Sequence, residues 1–163
     1  MNASAPGFLI ALETSQIGAL IRQSIWIYPA ANVAHVVAMV LFAGAIAVMD
    51  VRLMGALTGS DPARVVRGAR RAAVLALLAV LVSGSVLFTA EASHIALNGI
   101  FQIKMALVAF GVAHALFVGN AAVRILDALG PQAPMPGRVR FAGGLSMLTW
   151  ISVVGLGRYI AYN

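Results

Sequence analysis

The chain has 163 residues, of which 61% are hydrophobic and only 10% charged, whereas soluble domains carry about 25% charged residues. A water-surrounded core is excluded by that balance, and the absence of cysteine excludes disulfides and thiolate-held zinc or iron–sulfur centres. The net charge is +6 and ten of the eleven cations are arginine, but they lie in short segments between apolar runs, which points to phospholipid headgroups and not to nucleic acid.

Residues 1–28 open the chain. Met1–Gly7 carries no basic residue and Glu13 interrupts the first apolar run, so this is not the pattern of a cleaved signal. Phe8–Tyr28 mixes apolar residues with Glu13, Gln16, Arg22 and Gln23, and it reads as a helix lying in the membrane interface. Trp26 and Tyr28 at its exit are the aromatic types that favour headgroup level. Pro29 suits the first turn of the next helix, where a missing N–H costs nothing.

Residues 29–163 hold four apolar runs, at Pro29–Asp50, Ala69–Ala90, Ile100–Val123 and Phe141–Tyr162. Each is near the roughly 20 residues a transmembrane helix needs. The first connection carries Arg52, Arg64, Arg67, Arg70 and Arg71 and turns at Gly59-Ser60-Asp61-Pro62. The third carries Arg124, Arg138 and Arg140 and is broken at Gly130-Pro131 and Pro134-Met135-Pro136-Gly137. The positive-inside rule puts both on the cytoplasmic side of a bacterial inner membrane, with both termini outside. The short connection at Ser93–Gly99 makes neighbouring helices antiparallel. The predicted fold is all-α: an up-down four-helix transmembrane bundle with an N-terminal interfacial helix.

Helices in lipid associate through small residues. Gly111, Ala115 and Gly119 form such a stripe in the third span, with Ser83-Gly84-Ser85 in the second and Gly143-Gly144 and Gly155-x-Gly157 in the fourth. Spans one and three also echo one another, Phe42-Ala43-Gly44 against Phe117-Val118-Gly119, each followed by Arg and Asp near the inner end. A duplicated two-helix unit would produce that echo.

Ionisable groups inside a span cost roughly 2.5–3.5 kcal/mol on insertion scales and usually face a partner or a cavity. His35 lies about 8 Å in from the outer end of span one, and Lys104 about 6 Å in from the same side of span three. They are level and both point inward. His35 can ligate a metal or haem iron, and Lys104 can hold a carboxylate such as a haem propionate. The alternative is that Lys104 snorkels to the headgroups and His35 bonds a backbone carbonyl. His114 lies roughly 10 Å below His35, an offset that counts against two axial ligands on one iron. His94, just beyond span two, can supply a ligand from above or be a solvated loop residue. Glu91 is a natural ion-pair partner for Lys104, while Asp50 and Asp127 read as interfacial pairs beside Arg52 and Arg124. His35 with Met39 would make a soft copper(I) site.

Tyr28-Pro29, His35-Val36-Val37, Leu41-Phe42-Ala43-Gly44 and Met49-Asp50-Val51-Arg52-Leu53-Met54-Gly55, with Asn98-Gly99-Ile100-Phe101-Gln102-Ile103-Lys104, resemble an uncharacterised family of small four-helix bacterial inner-membrane proteins. That resemblance spans roughly Tyr28–Asn120 and implies a fold but no activity. A histidine in span one with a lysine entering span three is distantly similar to the copper-resistance D and HemJ-type group, membrane proteins linked to copper or haem. The likeness implies His35 as ligand and Lys104 as its companion.

The expected function is an integral membrane, haem b-binding, cytochrome-like protein in electron transfer, using His35, Lys104 and one of His94 or His114. A periplasmic redox partner would serve it. The alternatives are an accessory subunit of a larger membrane complex and a copper-handling or ion-handling protein. Small-residue faces also allow a homo-oligomer.

Overall fold

The computed structural model describes residues 5–57, 59–129 and 133–160. Gly130-Pro131 and Tyr162 lie outside the described residues. Among the described residues every regular element is helical. Four helical stretches are long and apolar enough to cross a membrane: α3 (Ile27–Leu53), α4 (Pro62–Ala90), a third span made of α6 (Gly99–His114) continuing into α7 (Asn120–Ala128), and α8 (Gly137–Ile160). The expected four-helix membrane bundle is the fold observed.

The N-terminal segment differs from the single helix expected. It forms two short helices, α1 (Gly7–Thr14) and α2 (Gln16–Gln23), broken at Ser15. The Ser15 side chain accepts the Gly18 N–H and caps α2, an economical use of a residue that competes with helical backbone elsewhere. The pair covers the end of the bundle opposite the arginine-rich connections, labelled the outer end by the side that loop charge favours. Arg22 donates to the carbonyls of Glu13 and Ala90, and Glu13 accepts from Ser93 in the short helix α5 (Ala92–Ala96).

Caps account for where the spans begin. Asp61 accepts the N–H groups of Ala63 and Arg64 at the start of α4, with Pro62 in the first turn. Asn98 does the same for Ile100 and Phe101 at the start of α6. α4 is 29 residues long, so at 1.5 Å per residue it exceeds a hydrocarbon core of about 30 Å. Its arginine-bearing first turns therefore project beyond the apolar layer.

α3 packs against α4 and α8, α6 against α8, and α4 against α7. Spans α3 and α8 are the most enclosed and the third span the least. Between the spans, two glycines permit the closest approaches. A Cβ on Gly111 would lie 2.8 Å from Trp150 Cζ2, and one on Gly143 would lie 2.9 Å from Leu53 Cβ. Gly119 and Gly155 meet nothing within 4 Å, so the small-residue stripe of span three serves helix contact at Gly111 and leaves open space at Gly119. Phe42 and Trp150 meet edge to face at 4.6 Å in the middle of the bundle, with Ile46, Ala73, Ala76 and Val153 around them. A second apolar cluster, Leu53, Val66, Ala122, Leu126 and Val139, closes the arginine-rich end.

The third span is interrupted where α6 passes into α7. Ala115–Gly119 forms a π-helical turn, a feature that lodges an extra residue in a helix and is frequent at functional sites. Arg70 of α4 donates to the Ala115 carbonyl at 3.5 Å, reaching a backbone acceptor at this irregular turn.

Candidate functional site

Two polar centres sit in the bundle, one on each side of the Phe42–Trp150 contact. The outer one is built on α3 and α4. His35 Nδ1 lies 2.9 Å from Ser83 Oγ. The Ser83 hydroxyl has one proton, and it donates that proton to the Ala79 carbonyl at 2.7 Å. Its oxygen is thus left to accept, so Nδ1 carries the ring hydrogen in the neutral imidazole. This tautomer follows from the hydrogen-bond network. The Nε2 lone pair is then the nitrogen free to ligate, and a fixed partner on the opposite ring nitrogen is what orients metal-ligating histidines. Gly84 makes room for the ring: a Cβ there would lie 3.1 Å from His35 Cε1.

Lys104 comes to this centre from α6 and acts electrostatically on the His35 ring. Its stem runs along α8 at Gly157, where a Cβ would lie 3.4 Å from Nζ. The structure therefore leaves His35 and Lys104 within electrostatic range of one another, with no hydrogen bond between them among the described residues. Glu91 is not the partner of Lys104 that the sequence suggested: it accepts from the Tyr28 hydroxyl at 3.3 Å, at the rim. Phe88 and Phe101 stack at 5.8 Å between the ends of α4 and α6.

The other two histidines lie elsewhere. His114 is ten residues beyond Lys104 on α6, about 15 Å along the axis, and it lines the inner cavity beside Phe110. His35 bonds Ser83 at one centre and His114 lines the other cavity, so the two histidines serve different surroundings. His94 lies in α5, above the outer end, close enough to Glu13 to act on its charge. Among the described residues no three His, Cys, Asp or Glu side chains cluster as metal ligands. The donor set at the outer centre fits a group that takes one imidazole and carries an anionic substituent. It does not fit one held by two histidines of this chain.

The inner centre was not anticipated. Asp50 was read as a boundary residue paired with Arg52, but it is 0% exposed. Neither carboxylate oxygen has a hydrogen-bond partner among the described residues. Arg52 turns away and donates to the carbonyls of Ala56 and Ser60, because the chain reverses there through Gly55 at φ +100°. Asp127 likewise pairs across helices with Arg67 of α4, not with Arg124. Asp50 lines a partly open cavity of about 130 Å³ bounded by α3, α4, α6, the π turn, α7 and α8. Ser146, Arg70 and His114 are its other polar neighbours there. Ser146 acts on the carboxyl without closing a bond of good geometry. A signal for this burial was present: Asp50 continues the i, i+4 progression of Phe42 and Ile46, which forms the buried face of α3.

The comparison with known families is decisive for kinship and silent on activity. Residues 8–163 match the model of a family of unknown function, DUF6644. The chain belongs to DUF6644. No curated protein and no solved structure matches it, and nothing in these comparisons links it to copper-resistance D or HemJ-type proteins. The uncharacterised family expected from the sequence is thus supported as to kind, without an activity attached.

Proposed function

We propose that this DUF6644 protein is a bacterial inner-membrane electron-transfer protein that binds haem b at its outer centre. Its arginine-rich end faces the cytoplasm and its termini face out, as the loop charges favour. The observation that carries the reading is the His35–Ser83–Ala79 chain, which holds the imidazole in the tautomer with Nε2 free, beside the Lys104 ammonium. His35 would hold the iron, and Lys104 would neutralise a propionate. Haem supplies one-electron chemistry when bound. Ser83 fixes the ring orientation, and Gly84 and Gly157 leave the two side chains the space they occupy.

The test is the visible spectrum of the purified protein, as isolated and after haem addition. A Soret band is expected, lost in His35→Ala and displaced in Ser83→Ala, where the ring is no longer oriented. A protein that stays colourless and binds no added haem overturns the reading. Bound copper without a Soret band, weakened in Met39→Ala, would replace it with copper handling.

A second reading, an accessory subunit of a membrane complex, draws on a different feature. An open apolar groove runs along the α3–α4 face, floored by Ala30, Ala34, Ala38, Ala76 and Ala79. Small residues of that kind let helices approach closely in lipid. Copurification of a colourless protein with a larger complex is its signature.

A further inference from the structure

We propose that the inner cavity holds water and is a proton-exchange site, with Asp50 the group that takes up and releases the proton. The exchange is balanced and simple: hydronium in the cavity gives its proton to an Asp50 carboxylate oxygen, leaving water and a neutral carboxyl, and the reverse step returns it.

Three independent features converge on this. First, Asp50 is fully buried and, among the described residues, neither oxygen has a hydrogen-bond partner of good geometry. A bare carboxylate in such a place is costly enough that it must be met by water or neutralised. Second, the cavity beside it, about 130 Å³, has room for some four waters at about 30 Å³ each. Ser146, Arg70 and His114 are the other polar residues of a lining that is otherwise apolar. Third, one wall is the π turn at Ala115–Gly119, held by Arg70.

The occupant is a proton and not a metal ion. Among the described residues only Asp50 and Ser146 bring side-chain oxygens to the lining, whereas calcium takes about six to eight oxygen ligands and magnesium an octahedral set. The charged and titratable groups around Asp50 are Arg52 on its own helix, Arg70 on α4 and His114 on α6; α7 and α8 bring none to the cavity. Arg52 through its terminal nitrogens and Arg70 donate to backbone carbonyls, Arg52 Nε is itself without a partner, and among the described residues neither arginine forms an ion pair with the carboxylate. The outer centre has no part in this argument, and a colourless protein would leave it standing.

Infrared difference spectra of the intact protein in lipid nanodiscs, recorded across pH, test the proposal. A protonated-carboxyl C=O band should appear on acidification and shift in D2O. It should be absent in Asp50→Asn, shifted but present in Asp50→Glu, and retained in Asp127→Asn. If the Asp50 variants do not fold, aspartate-specific ¹³C labelling in the Asp61→Asn/Asp127→Asn background assigns the band, since Asp50 is then the sole aspartate. A wild-type spectrum with no such band overturns the proposal. So does a band that survives Asp50→Asn, or one that added sodium or potassium removes by competition.

Discussion

The Glu13 carboxylate accepts the Ser93 hydroxyl and, at 2.8 Å, the Ser93 backbone N–H, with Arg22 at 3.8 Å. The Ser93 hydroxyl is the chief reason its carboxyl is held below the usual glutamate range. The Ser93 N–H comes next, burial opposes these two by less, and the Arg22 and His94 charges add still smaller lowering effects. A depressed folded value stabilises the fold above the ordinary glutamate value of about 4.3, and that stability is lost as pH falls through the folded value. Wild type should therefore melt above Glu13→Gln at neutral pH, and the gap should close on acidification. Melting curves of both proteins in detergent at a series of pH values check this. The residue scale also shows what sequence alone could reveal. His35 and Lys104 stood out because they are ionisable groups within apolar runs, and both are partly buried. Asp50 was legible as a residue but not as an orphan. Its neighbour Arg52 offered a charge partner in sequence, and only the chain reversal through Gly55 sends that arginine elsewhere.

Helices of this bundle touch most tightly where glycine replaces a side chain. Gly111 faces the rigid indole of Trp150, which has no room to move aside from a Cβ at 2.8 Å. Gly111→Ala should destabilise the protein by ~1–3 kcal/mol, the usual cost of overpacking. Gly155→Ala, which meets open space, should be neutral or gain up to ~1 kcal/mol from helix propensity. Denaturant unfolding in mixed micelles separates the two. The π turn allows a second contrast. Because it lodges one surplus residue, deleting Leu116 should let span three relax to regular α-helix while Leu126 stays inside and Arg67 still faces Asp127. Deleting Leu148 from α8, which has no such turn, should rotate all that follows by about 100° and unfold the bundle. In this cysteine-free chain, an Arg67→Cys/Asp127→Cys pair reports the outcome by cross-linking. Span number and approximate limits were readable from apolar length, since lipid demands it. The break at Ser15 and the π turn were not, because local hydrogen bonds decide both and composition does not record them.

At the scale of the molecule, two polar centres are separated by fifteen residues of α3, from His35 to Asp50, about 22 Å along the helix. Between them lies the Phe42–Trp150 contact with its aliphatic surround. Antiparallel spans and short connections followed from the sequence. The division into an outer and an inner compartment did not, because it depends on which aromatic of α8 meets which of α3. That waist has an electrical consequence. Ions cross a bilayer only where a continuous wet thread exists, and an edge-to-face pair of rings packed in alanine and valine breaks the thread. The packed waist therefore leaves the two polar centres insulated from each other along the bundle axis.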